Sequence, residues 1–296
     1  MVKSIFRIFI IVISTMMVIW WLNTPFLDSE KDTSPKIVVT TPLLEDLVVT
    51  LLGPEINVTS LIVPGQNPLQ ARLTSDSKTK ISHADIIIMN GSQVDGEFQT
   101  LIQYTKKSAR VINVSALFRK HKNISDFYWM DIVDWSHLVY LMQDRLRDLL
   151  PKRRSEINYR MSAYSKEVFD LYQKIRNELG GLDLNQMKIA TNHPSFEPFA
   201  TLFQLDVTII DIPIDPKPED VAQIVTQLKE NNITVFIPNE YISAQGLDAV
   251  VKAANKSGLN LRIYSPIITL NLDGPGSGVE TYLQLMTMNL RTLING

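Results

Sequence analysis

Hydrophobic and polar positions fall into short runs from Lys36 onward, and the runs repeat in two blocks separated by one long stretch of different period. "KIVVTT" (36–41), "INVTSLIV" (56–63), "DIIIMNG" (85–91) and "ARVINVS" (109–115) are short, apolar and rich in β-branched residues, which predicts strands. Between them "PLLEDLVVTLLG" (42–53), "DSKTKISHA" (76–84) and "DGEFQTLIQYTK" (95–106) carry helical spacing, with Pro42 placed to open the first helix and Gly53 to end it. Strand and helix alternating over short connections predict a parallel sheet covered on both faces.

The pattern then changes. "DWSHLVYLMQDRLRDLL" (134–150) is helical, and Pro151 is suited to open a second helix. "KRRSEINYRMSAYSKEVFDLYQKIRNELGG" (152–181) runs on to a glycine pair, with Tyr159, Met161, Tyr164, Val168, Leu171, Tyr172 and Ile175 at steps that predict one buried stripe. At 1.5 Å per residue such a helix is about 40 Å long. Alternation resumes with strands at 187–191, 206–210, 234–239 and 260–266, and helices at 195–204, 217–232, 243–258 and 278–294. The expected fold is α/β: two Rossmann-like lobes with parallel sheets, joined by one long helix. Ligands of such open sheets sit beyond the carboxyl ends of the strands, here in the crevice between the lobes.

The N-terminus has a character of its own. Lys3 and Arg7 precede an uncharged run, "IFIIVISTMMVIWWL" (8–22), and the apolar segment 5–22 approaches the length needed to span hydrocarbon. The positive flank would stay in the cytoplasm and place the remainder outside. Trp20 and Trp21 suit an interface, and no small-residue cleavage site follows; an uncleaved signal anchor is the first expectation, with a cleaved signal or a core helix as alternatives. The expected organisation is an anchor over 1–27, a polar tether over 28–35, an N-terminal lobe over 36–133, connecting helices over 134–181 and a C-terminal lobe over 182–296. The chain of 296 residues has a net charge of −2, which argues against a nucleic-acid surface, and no cysteine, which excludes disulfides, thiolate metal sites and a lipid-bearing cysteine within it.

Several segments, taken in order, carry a resemblance. "TTPLLEDLVVTLLG", "LIVPGQNPLQARLTSDSKTKISHADIIIMNGSQVDGEF", "DFYWMDIVD", "TNHPSFEPFATLFQLD" and "ETYLQLMTMNLRTL" together resemble the extracytoplasmic solute-binding proteins of zinc and manganese ABC importers, from about Lys36 to the C-terminus. The resemblance implies one divalent ion, zinc or manganese, held between the lobes by four ligands and delivered to a membrane permease, by a monomer that catalyses nothing. Carried over one by one, the ligand positions fall at Leu69 (within Asn67-Pro68-Leu69), at Phe127 (two residues before Trp129), at His193 and near Pro266. Only His193 can coordinate a metal. A glutamate that the family often carries would fall at Pro238, with Glu240 two residues on; Asp126, Asp131, Glu197, Asp211 and Glu240 are the carboxylates available as substitutes. The expected cleft lining is Asn67, Leu69, Phe127, Trp129, Glu240 and Pro266, and the expected ligand is a divalent metal or a changed small solute. The alternative is a binding-dead paralogue that acts by contact with a permease, envelope or host-surface partner.

His193 keeps three readings: the surviving ligand, a hydrogen-bonding group for another solute, or a loop residue bonded to nearby backbone. His83 and His137 are expected to be structural and His121 solvated. "DGPGSG" (273–278) lacks the lysine and hydroxyl residue of a phosphate loop, and Ser195 lacks the Gly-x-Ser-x-Gly setting of a hydrolase nucleophile. A nucleotide-dependent enzyme therefore has no motif behind it.

Overall fold

The computed structural model describes Met16 and residues 34–91, 93–119, 124–181 and 187–296. Apart from Met16, the apolar segment 5–22 lies outside the described residues, as do His121 and nearly all of the tether. Among the described residues no helix is long and apolar enough to cross a membrane.

Residues 35–296 form one compact unit built on two sheets. The first contains β1 (Ile37–Val39), β2 (Val58–Ser60), β3 (Ile86–Met89) and β4 (Arg110–Asn113) in the order β2-β1-β3-β4. The second contains β5 (Ile189–Thr191), β6 (Val207–Ile209), β7 (Val235–Phe236) and β8 (Arg262–Ile263) in the order β6-β5-β7-β8. Every pairing is parallel, and both sheets share one topology. The helices are α1 (Pro42–Leu52), α2 (Ser75–His83), α3 (Val114–Arg119), α4 (Ile132–Leu149), α5 (Arg154–Gly180), α6 (Glu197–Leu202), α7 (Pro218–Glu230), α8 (Ala244–Lys256) and α9 (Tyr282–Asn295).

The period-two geometry of strands sorts side chains onto separate cores. Ile37, Val39, Ile86, Ile88, Ile189 and Val235 face one large core, while Val38 and Ile87 face a satellite in the first lobe and Ala190 and Phe236 one in the second. The large core belongs to neither lobe alone: Leu47, Trp135, Ile175, Phe199, Ile237 and Tyr282 all lie within it. α5 is its strut, burying Ile157, Tyr164, Val168, Leu171, Ile175 and Leu179 at helical spacing. α9 returns to this core, where Tyr282 stacks on Trp135 at 4.1 Å between ring centroids and donates its N–H to Asp46 at 2.9 Å.

Three expectations differ from the structure. Tyr159, expected in the buried stripe of α5, is 78% exposed, because it lies about 200° around the helix from Ile157, which starts the real stripe. Residues 93–104 form 3-10 turns rather than an α-helix, broken at Gly96, whose φ of 46° and ψ of −123° are non-helical. β7 and β8 have two residues each, shorter than their apolar runs, because only one isolated bridge, Asn239 to Ile267, extends their pairing.

Candidate functional site

β5 and β7 end side by side, and their carboxyl ends carry the polar residues of the site. After β5 the chain reads Thr191-Asn192-His193, and His193 caps the 3-10 turn Pro194–Phe196 that leads into α6. Pro194 sets the first residue of that turn, and Ser195 N–H donates to His193 Nδ1 at 3.1 Å. After β7 the chain reads Pro238-Asn239-Glu240; Asn239 N–H donates to Asn192 Oδ1 at 2.7 Å, tying the two ends together.

A continuous set of hydrogen bonds starts at the imidazole. His193 Nδ1 lies 2.7 Å from Ser195 Oγ, which lies 2.5 Å from Thr269 Oγ1. Asn239 Nδ2 donates to Thr269 Oγ1 at 2.6 Å and also to Glu240. The Glu240 carboxylate accepts the backbone N–H groups of Thr269 (3.1 Å) and Leu270 (2.7 Å). Ser195, Asn239 and Thr269 are buried. Burial pushes the Glu240 carboxyl up to about 7, with the donated backbone N–H groups pulling the other way. Burial also lowers the affinity of His193 for a proton and so favours the neutral ring, opposed by the charge of Asp211.

The other lobe supplies an aromatic wall. Phe127 meets the His193 ring edge to face, with centroids 5.4 Å apart, and meets Trp129 at 5.9 Å. Trp129 is 1% exposed, and its Nε1–H donates to the carbonyl of Thr269 at 2.7 Å, holding the segment that carries the hydroxyl. The lobes are also stitched directly. Gly65 N–H donates to the Leu272 carbonyl at 2.8 Å, and Asn271 Nδ2 donates to the carbonyls of Val63 (3.2 Å) and Gln66 (2.9 Å). Tyr241 Oη donates to the Gly65 carbonyl at 3.2 Å.

Of the residues expected in the cleft, His193, Phe127, Trp129 and Glu240 are joined through these contacts. Asn67 caps the short turn Pro68–Gln70 by accepting the Leu69 N–H at 3.0 Å, and Leu69 is 37% exposed there. Pro266 is exposed and is not part of the network. The bridge between Asn239 and Ile267 carries the chain past the end of β8, so the inward turn comes at Thr269 to Asn271 instead. Thr269, Asn239, Tyr241 and Asn271 escaped the sequence reading, which weighed Ser195 only as a nucleophile and not as a partner of His193. The only signal for them was position, just past the carboxyl ends of predicted strands.

The substitute carboxylates do not gather. Asp131 caps α4 by accepting the N–H groups of Val133 and Asp134, Glu197 and Asp211 are exposed, and Glu240 is occupied by four donor groups. Among the described residues no group of three His, Cys, Asp or Glu side chains could hold a metal ion. His83 and His137 stay away from the site: His83 Nδ1 bonds the Thr79 carbonyl at 2.8 Å, and His137 packs edge-on against Phe118 at 5.4 Å. In 273–278 the amides of Gly276 and Gly278 donate to Glu280, so the loop is folded on its own carboxylate rather than on a phosphate.

Two parallel-sheet lobes on a long helical strut, with the polar ends of β5 and β7 set against Phe127 of the other lobe, define a solute-binding architecture. The chain belongs to the family described as zinc-uptake complex component A, periplasmic, whose model matches residues 37–296. It is 20% identical to the zinc-binding protein TroA of Treponema pallidum over 277 residues, covering 90% of each chain. It is also 20% identical to the manganese-binding lipoprotein MntA of Bacillus subtilis over 273 residues, covering 88% of this chain and 89% of that one. The solved structure of TroA superposes with a TM-score of 0.79 at 19% identity, covering 88% of this chain and 98% of that one. A cadmium-bound periplasmic metal-binding protein of Candidatus Liberibacter asiaticus gives 0.75 at 17% identity, with the same coverage. At these identities the superpositions establish the fold.

Proposed function

We propose that this protein is the extracytoplasmic solute-binding component of an ABC importer of the metal type, that it receives its solute between the lobes at His193, and that it delivers the solute to a membrane permease. The observation that carries this is the position of His193: at the carboxyl end of a central strand, facing an aromatic wall from the other lobe. Relatives named for zinc and for manganese make those ions the first solutes to test. The absence of cysteine removes the lipid attachment implied by the relatives called lipoproteins, and the apolar segment 5–22 supplies an anchor of another kind.

The test is functional. The full chain, reconstituted with a metal-type ABC permease and its ATPase from the same cells, raises the ATPase rate. An unchanged rate, with or without zinc, manganese or a cell extract as the solute source, sinks this assignment.

A further inference from the structure

We propose that the Ser195 backbone N–H fixes His193 as the Nε2–H tautomer, so that the imidazole offers the cleft a hydrogen-bond donor and not the lone pair that a bare divalent cation needs. This rests on the cleft being the solute site and specifies what chemistry that site accepts.

A neutral imidazole carries one proton, and the nitrogen without it is the acceptor and the metal ligand. Two groups approach His193 Nδ1: Ser195 Oγ at 2.7 Å and Ser195 N–H at 3.1 Å. The hydroxyl can turn to donate or accept, because Ser195 Oγ also has Thr269 Oγ1 within 2.5 Å. A backbone N–H can only donate. A proton on Nδ1 would therefore face another N–H across 3.1 Å and leave the turn Pro194–Phe196 without its cap. Nδ1 is the acceptor, and the proton resides on Nε2.

Ligation of zinc or manganese through a histidine nitrogen normally relies on the other nitrogen donating its N–H to an acceptor, which fixes the ring and raises its basicity. At His193 that arrangement is inverted. Ligation through Nε2 would need the proton moved to Nδ1 and the cap broken. Ligation through Nδ1 would need the ring pulled out of the turn. The rest of the side-chain donor set does not offset this: Phe127 lies against the ring, the side chains of Leu69 and Pro266 have no donor atom, and Glu240 is consumed by Asn239, Thr269 and Leu270. An Nε2–H suits a solute that brings an acceptor oxygen.

Long-range proton–nitrogen NMR of the full chain in detergent, with nitrogen-15 in its four histidines, reads the tautomer directly. His193→Asn assigns the signal, since asparagine keeps a capping oxygen and the variant stays folded. The expected spectrum is the Nε2–H pattern for His193, retained in Ser195→Ala, which keeps the backbone donor and loses the hydroxyl. Zinc or manganese at about tenfold molar excess leaves the His193 signal and the melting midpoint unmoved, since an ion that does not bind the native state cannot stabilise it. An Nδ1–H pattern in the native chain or in Ser195→Ala, or a zinc-dependent loss of the His193 signal, overturns the proposal. If zinc moves His193 while the permease ATPase is still stimulated, the tautomer assignment fails and the importer assignment stands; if stimulation is absent, the importer assignment fails whatever the ring shows.

Discussion

Glu240 is the residue with the largest consequence outside the imidazole. Its carboxyl is held near 7 by enclosure, well above the usual range for glutamate, even though two backbone N–H groups support the ionised form. An acid with a raised native pKa binds its proton more tightly when folded, so its contribution to stability is greatest at low pH. Stability is then lost as pH rises from the unfolded value of 4.5 to about 7, and is flat beyond. At 1.36 kcal/mol per unit the full loss is about 3 kcal/mol at most. Asp46, raised to about 6 by burial against its bond from Tyr282, acts in the same direction over a lower window. Urea midpoints of wild type and Glu240→Gln, taken between pH 4.5 and 8, isolate the two: the variant keeps the Asp46 slope up to about 6, falls less steeply than wild type from 4.5 to about 6, and is flat between 6 and 7, where wild type still loses stability. Parallel curves for the two proteins sink the assignment. At this scale the sequence showed His193 and Glu240 as candidates but not what they do. The bond from Ser195 to the ring depends on the local turn, and the bonds to Glu240 come from Thr269 and Leu270, about thirty residues away.

At the scale of elements, period and punctuation were legible. Pro42 opens α1, and Gly53 follows it with a φ of 95°, a conformation that a side chain resists. The strands were visible as apolar runs because both faces of a parallel sheet are covered, as the fully buried Ile86–Met89 shows. What the period could not fix was which of two overlapping stripes α5 buries. Tyr159 and Ile157 are two residues apart, and only packing against α1, α4 and α9 chooses Ile157. The choice has a measurable consequence. Ile175→Ala removes a fully buried side chain from the shared core and lowers stability by about 2–5 kcal/mol. Tyr159→Ala, at a site 78% exposed, changes it by no more than about 0.5 kcal/mol. Equilibrium urea unfolding separates the two, and equal effects would mean that the stripe is placed wrongly. Asp131→Ala removes the side chain that accepts the N–H groups of Val133 and Asp134, and by the same measurement costs about 1 kcal/mol.

Across the whole molecule, the two lobes share one core and are tied to each other by hydrogen bonds at the rim. The large hydrophobic cluster runs from β1 through α5 to β7 and α9, so opening the crevice by a wide hinge would expose buried apolar surface. Closure therefore depends on the polar stitches at the rim, and Asn271 is the most productive of them, because one amide serves the carbonyls of both Val63 and Gln66. Removing it leaves two carbonyls on the first lobe without that partner and leaves two bonds to hold the loop, from Gly65 N–H to the Leu272 carbonyl and from Tyr241 Oη to the Gly65 carbonyl. Asn271 is buried, but the two carbonyls it serves belong to exposed residues that water can reach, so Asn271→Ala is expected to cost about 1 kcal/mol, near the low end for lost partners, and to act locally rather than on global unfolding. Amide hydrogen exchange reads this at the peptide holding Gly65: exchange is slow in wild type without added metal, faster in Asn271→Ala, and intermediate in Tyr241→Phe, whose hydroxyl is the more exposed contact. The core strand Ile86–Met89 stays equally protected in all three. If the Gly65 amide already exchanges at an unprotected rate in the wild-type chain, the crevice is open in solution, and the stitches do not determine how this solute-binding protein closes.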